Sequence, residues 1–144
     1  MSEFDYTLEE RTDRDITSKL YSSFFAVSDI AFVVAEVDTS KWNVNIQLVD
    51  LAGQPVLKSM VLEVYMSSDP DDIIPSGATS WAITAAGAGT LVLDTTAGEI
   101  ATFQTDAEGK LDITLTETGA LTSYMIAKLP NGELSVSDLI TFVA

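Results

Sequence analysis

The chain contains no cysteine and no histidine. Without cysteine there is no disulfide framework and no thiolate to act as nucleophile or metal ligand. Without histidine the commonest general base near neutral pH is missing, and so is the commonest nitrogen ligand for metals. The usual Ser-His-Asp and Cys-His arrangements are excluded with it. Basic residues are also scarce. Seven Lys and Arg stand against 22 Asp and Glu, a formal net charge of −15. Nucleic-acid affinity rests on Lys and Arg releasing counterions from phosphates, and a surface of this sign repels phosphates and anionic lipid alike. Neither nucleic acid nor membrane is therefore expected as a partner. No run reaches the ~18 consecutive apolar residues that a transmembrane helix needs. The acidic start, MSEFDYTLEERTDRD, does not read as a signal peptide.

Catalytic and cofactor motifs are missing too. No lysine falls in an S-x-x-K motif, and no Gly-rich phosphate loop occurs. Carboxylate pairs can hydrolyse glycosides, but among 22 acids some are neighbours by chance, so pairing carries no specificity. Asp69, Asp71 and Asp72 crowd one loop, and Asp106 and Glu108 flank a turn. Calcium takes oxygen ligands, yet neither stretch has the Gly and Glu positions of an EF-hand loop. The expectation is a protein with no catalytic residue, no cofactor and no metal.

What the sequence does contain is β texture. Its 144 residues suit one domain, and 47% are hydrophobic, enough for a packed core without staples. Ile30 to Val37 is a single apolar run. Trp42, Val44, Ile46 and Leu48 alternate with Asn43, Asn45 and Gln47, and Met60 to Met66 and Leu111 to Leu115 alternate likewise. Shorter candidates are Trp81–Thr84, Thr90–Asp94 and Ile100–Gln104; Leu121–Leu129 and Leu134–Val143 close the chain. Asp106-Ala-Glu-Gly109 and Asn131-Gly132 are hairpin signals in which glycine supplies a left-handed residue. Turns about every 8–12 residues predict an all-β, antiparallel sandwich of roughly seven to nine strands over 25–144.

Two segments stand apart. Residues 1–24 mix charge with spaced apolar residues. Phe4, Tyr6 and Leu8 alternate as in a strand; Ile16, Leu20 and Phe24 recur as in a short helix. Such a segment reads as an arm that contacts a partner, or as an edge strand or helical turn packed on its own domain. The loop 67–77 carries Ile73 and Ile74 beside Pro75, either a contact site or a tuck onto the sandwich edge. The candidate contact residues are thus Phe4, Tyr6, Leu8, Ile16, Leu20, Ile73 and Ile74. Were the protein a glycan binder instead, Trp81 and Tyr65 would be its exposed aromatics, with Trp42 in the core.

The stretch FQTDAEGKLDITLTETGALTSYMIAKLPNGELSVSDLITF, with its Thr105–Lys110 turn, Gly119, Tyr124 and Leu129–Gly132 hairpin, resembles the last strands of immunoglobulin-like domains in tailed-bacteriophage virion proteins. VNIQLVDLAGQPVLKSMVLEVYMSSD, with Asp50, Gly53 and Pro55 shaping a turn, is similar to the opening of those domains. The likeness covers about 44–69 and 101–143. It implies an immunoglobulin-like sandwich and a structural role. A virion protein of this size looks most like a capsid decoration (cement) protein. That resemblance implies binding to the major capsid protein on the capsid exterior, after synthesis in the host cytoplasm, with a homotrimer among the open oligomeric states. A receptor- or glycan-binding module of a tail or fibre is the alternative.

Overall fold

The structure, a computed structural model, describes residues 27–129 and 131–143. The 1–24 arm lies outside the described residues, and with it Phe4, Tyr6, Leu8, Ile16 and Leu20. Ten strands follow one another: β1 (Asp29–Asp38), β2 (Lys41–Val49), β3 (Val61–Ser67), β4 (Ser80–Ile83), β5 (Thr90–Thr96), β6 (Ile100–Gln104), β7 (Lys110–Thr116), β8 (Leu121–Lys128), β9 (Leu134–Val136) and β10 (Ile140–Phe142). No helix occurs among the described residues. The strands form two antiparallel sheets. One has the order β1-β2-β7-β4. The other runs β10-β8-β3-β6-β5, with β9 also paired to β8. This is the all-β sandwich that the alternation predicts.

The period of two explains which side chains meet. On β2, Val44, Ile46 and Leu48 are buried, while Asn43, Asn45 and Gln47 point to the other face. Leu111, Ile113 and Leu115 of β7 continue that buried layer. Leu62, Val64 and Met66 of β3, Phe103 of β6 and Met125 of β8 come from the second sheet into the same core. Each fully buried side chain of this size contributes roughly 1.5–3 kcal/mol. Trp81 of β4 and Phe103 of β6 belong to different sheets and pack edge to face, with centroids 5.4 Å apart.

The run Leu134–Val143 becomes two segments for a local reason. Ile126 lies opposite Val136, and Ser123 opposite Ile140. Three steps along β8 therefore oppose four along its partner, which is a β-bulge. Ser137 fills it: its N–H donates to the Met125 carbonyl (2.9 Å), and its Oγ accepts from the Met125 N–H (2.9 Å). β9 and β10 are one bulged strand.

Two turns share a single design. Asp50 Oδ1 accepts from the N–H groups of Ala52 and Gln54, and Asp106 Oδ1 accepts from those of Glu108 and Lys110. Each turn has a glycine three residues after the aspartate, Gly53 at φ 79° and Gly109 at φ 75°. Their surroundings differ. A Cβ on Gly53 would meet nothing within 4 Å, whereas one on Gly109 would collide with the Val56 carbonyl oxygen. Gly53→Ala is thus expected to cost only the left-handed backbone term, about 1–2 kcal/mol. Gly109→Ala should cost a further ~1–3 kcal/mol from overpacking. Urea unfolding of the two variants measures the difference, and equal losses would refute the steric account.

Candidate functional site

An open sheet exposes unpaired N–H and C=O groups along its outer strands, and proteins usually blunt such edges. Three of the four edges here are blunted. β4 is only 4 residues long. The pairing of β5 with β6 slips twice, between Leu91 and Leu93 and between Asp94 and Thr96. The β9–β10 edge carries the bulge. The fourth edge, β1, is 10 residues long and keeps regular pairing with β2 from Asp29 to Glu36.

β1 is also apolar on both faces. Ile30, Phe32 and Val34 point inward. Ala31, Val33, Ala35 and Val37 form the opposite row, and Val33 and Val37 are 63% and 60% exposed. Which backbone groups face the open edge follows from the register. The N–H of Leu48 donates to the Gly109 carbonyl beside β7, so even-numbered residues of β2 bond toward β7 and odd-numbered ones toward β1. Asp29 lies opposite Val49, so the even-numbered residues of β1 face outward. Ile30 has partners there: its N–H donates to Asp29 Oδ1 (2.8 Å), and its carbonyl accepts from Ser135 Oγ of β9 (3.1 Å). Phe32 and Val34 come next on the open edge.

Ala31 and Val33 of this row also form a wall of a groove of about 480 Å³. Asn45 and Gln47 of β2 and Lys110 of β7 form its floor, and Ala86–Ala88 its far wall. Ala86 holds a left-handed φ of 59° there. The centre of this outer face is polar and self-satisfied. Asn45 Nδ2 donates to Asn43 Oδ1 (2.6 Å), Asn43 Nδ2 to Asp112 Oδ1 (2.6 Å), and Thr84 Oγ1 to the same carboxylate (2.8 Å). The apolar row of β1 is the part of the face left without such closure.

At the far end of β1, Trp42 packs against Phe142 at a 6.4 Å centroid separation. Trp42 is half-buried against the core, and its Nε1 is buried with no hydrogen-bond partner, alone in this among the described side chains.

Of the contact residues expected from sequence, Ile74 is 45% exposed and Ile73 half-buried. Their loop is tied to the buried Ser67, whose Oγ donates to the Asp72 carbonyl (2.7 Å) and accepts from the Ile74 N–H (2.9 Å). Trp81 corrects the expectation of an exposed aromatic: it is 4% exposed, and its Nε1 donates to Asp94 Oδ1 (2.9 Å). Tyr65 is half-buried, with its hydroxyl on Glu63 (2.7 Å) and its pKa raised first by burial and then by that carboxylate. The two make no stacking platform. Asp69 Oδ1 accepts from the Asp71 N–H and Asp72 Oδ1 from the Ile73 N–H, so these carboxylates shape turns. No cluster of three potential metal ligands occurs among the described residues. The chain matches no protein-family model and no curated protein sequence.

The two tryptophans give a paired prediction. Trp81→Phe removes a hydrogen bond to a carboxylate and empties part of a buried volume, for a loss of about 2–4 kcal/mol. Trp42→Phe removes a buried donor that has no partner, so its loss should stay within about 1 kcal/mol. Denaturation midpoints compare them, and a costlier Trp42 change would show that its N–H is satisfied in solution.

Glu117 gives a pH prediction. The Gly119 N–H foremost, then the Thr79 hydroxyl and the Thr118 N–H, hold its carboxyl below the usual 4.5. A pKa depressed by folding stabilises the protein above the unfolded value, and that contribution fades as pH falls through the folded one. The melting-temperature gap between wild type and Glu117→Gln, open at pH 7, should therefore close as pH drops below 4.5. A gap that is constant with pH would sink the assignment.

Proposed function

We propose that the chain is a structural binding protein of a phage virion, one that decorates and stabilises the capsid by docking on the major capsid protein. It performs no chemistry. The observation that carries this reading is β1, a long strand that is apolar on both faces yet lies at a sheet edge with one face uncovered among the described residues. Continuous apolar strands are the pattern of strands covered on both sides. A partner that covers β1 completes that pattern.

The immunoglobulin-like part of the reading has its own support. With the β5–β6 hairpin set aside, β1 to β4 and β7 to β10 can be lettered A to G, the bulged β9–β10 strand counting as G. The order β1-β2-β7-β4 is then A-B-E-D, and β10-β8-β3 is G-F-C, the two sheets of a constant-type immunoglobulin domain. The hairpin is an insertion between D and E that widens the second sheet. The partner comes from the resemblance of 44–69 and 101–143 to virion domains. The capsid exterior is the matching location. The glycan-binding alternative loses its aromatic candidates, since Trp81 is core and Tyr65 is engaged by Glu63.

A gene for a major capsid protein is expected beside the one for this chain. The purified chain should co-sediment with shells assembled from that protein. Val33→Asp should raise the dissociation constant at least about tenfold, the equivalent of losing one buried valine, with an unchanged circular-dichroism spectrum. Wild-type protein that stays in the supernatant would refute the proposal.

A further inference from the structure

The shape of β1 specifies how a partner docks, not only where. We propose that the partner contributes an extended segment that adds to the edge of β1 as a fifth strand of the four-stranded sheet, and that this segment is apolar at alternate positions and flanked by Lys or Arg. The proposal rests on the binding role inferred above and deepens it.

Three observations converge on strand addition. The Phe32 and Val34 peptide groups face the open edge, by the register of β1 against β2. The pairing is regular through Glu36, so β1 presents an uninterrupted template of ordinary strand length. The side chains of β1 offer apolar contact on either face, Val33 and Val37 on one, Phe32 and Val34 on the other. An added strand would meet both rows at once, because its own side chains alternate between faces.

Charge selects the occupant. The template is bounded by Asp29 at one end and by Glu36 and Asp38 at the other, and Asp138 lies in the bulge between β9 and β10. Lys41, across from Asp38, opposes them. The chain as a whole carries −15. A second copy would bring the same acids and the same net charge to the contact. The chain's own strand-like stretch near Phe4 to Leu8 contains Asp5 and is bordered by Glu3, Glu9 and Glu10. Both are repelled where a basic segment is attracted and steered.

Amide hydrogen exchange on the ¹⁵N-labelled full chain tests this. The probe is a synthetic peptide, Lys-Lys-Thr-Val-Thr-Val-Thr-Val-Thr-Lys-Lys, compared with a twin that has Glu in place of each Lys. With the basic peptide, exchange at Phe32 and Val34 should slow at least about tenfold. Val33 and Ala35, already bonded to β2, should change little. The acidic twin should have no effect. Val34→Pro removes one free N–H on an edge where proline is tolerated, and should abolish the response.

Slowing without that odd–even pattern, or equal slowing by both peptides, overturns the proposal. So does protection already present without peptide. If it vanishes in a chain lacking residues 2–24, the occupant is the protein's own segment; if it grows with protein concentration, the occupant is a second copy. Val34→Pro protein that still co-sediments fully with shells overturns strand addition but leaves the decoration role standing. Wild-type protein that fails to co-sediment removes the decoration role, whatever the peptide shows.

Discussion

Backbone N–H and C=O groups must be paired or solvated, and in a two-sheet sandwich the pairing runs out at four strand edges. How each edge ends shapes much of this molecule. β4 ends its sheet by being short. β5 ends its sheet by slipping out of register twice, and β9–β10 by taking in an extra residue that Ser137 stabilises from the side. Among the described residues, only the β1 edge is a long, apolar strand with regular pairing. The three blunted edges make the fourth conspicuous, because the chain has the means to disrupt an edge and does not use them between Asp29 and Glu36.

The same asymmetry appears in how the two sides of the sandwich are closed. On the β4–β5 side, the indole of Trp81 crosses the gap. It packs on Phe103 and reaches Asp94 on the opposite sheet, so the layers are tied by both area and a hydrogen bond. On the β1–β9 side, Ser135 ties the start of β1 through Asp29 and Ile30, and at the other end Trp42 packs on Phe142 of the opposite sheet. Farther along, Phe32, Val34 and Trp42 are inward-facing yet half-buried, and the Trp42 N–H has no acceptor. The two sides thus differ in their ties: the Trp81 indole adds a hydrogen bond across the layers, and the Trp42 indole adds none.

Much of this was legible in the sequence, and the illegible part has a physical cause. Alternation in β2, β3 and β7 reports a face that is buried and a face that is not, and those strands fall where the pattern puts them. The hairpin glycines, Gly109 and Gly132, are likewise readable, because a left-handed residue is a local demand. The bulge in Leu134–Val143 was hidden, because an extra residue shows only against the strand opposite. Trp81, a surface aromatic only on the glycan-binding alternative, lies in the core, and its four-residue strand is too short to show a period that would reveal this. β1 was seen as a strand, but its place was not. An unbroken apolar run reports a strand covered on both sides, and sequence alone cannot say whether the cover comes from the same chain. The loop around Ile73 and Ile74 reads from sequence as a contact site or a tuck onto the sandwich edge, and the hydroxyl of Ser67 organises it, a contact no local pattern announces.

The charge takes on a different meaning beside that edge. Taken alone, −15 argues against nucleic acid and for solubility. Next to a bare apolar template it also governs association. A long apolar edge strand pairs readily with its own copies, which is a common route to aggregation. Repulsion between two chains of −15 opposes that encounter over a Debye length of about 8–10 Å at ordinary salt. The field that keeps copies apart draws a basic segment in. Acidity and exposed valines, which look like opposite tendencies, thus act together. On the proposed docking mode, the charge would protect the edge from like chains and favour a partner of the other sign.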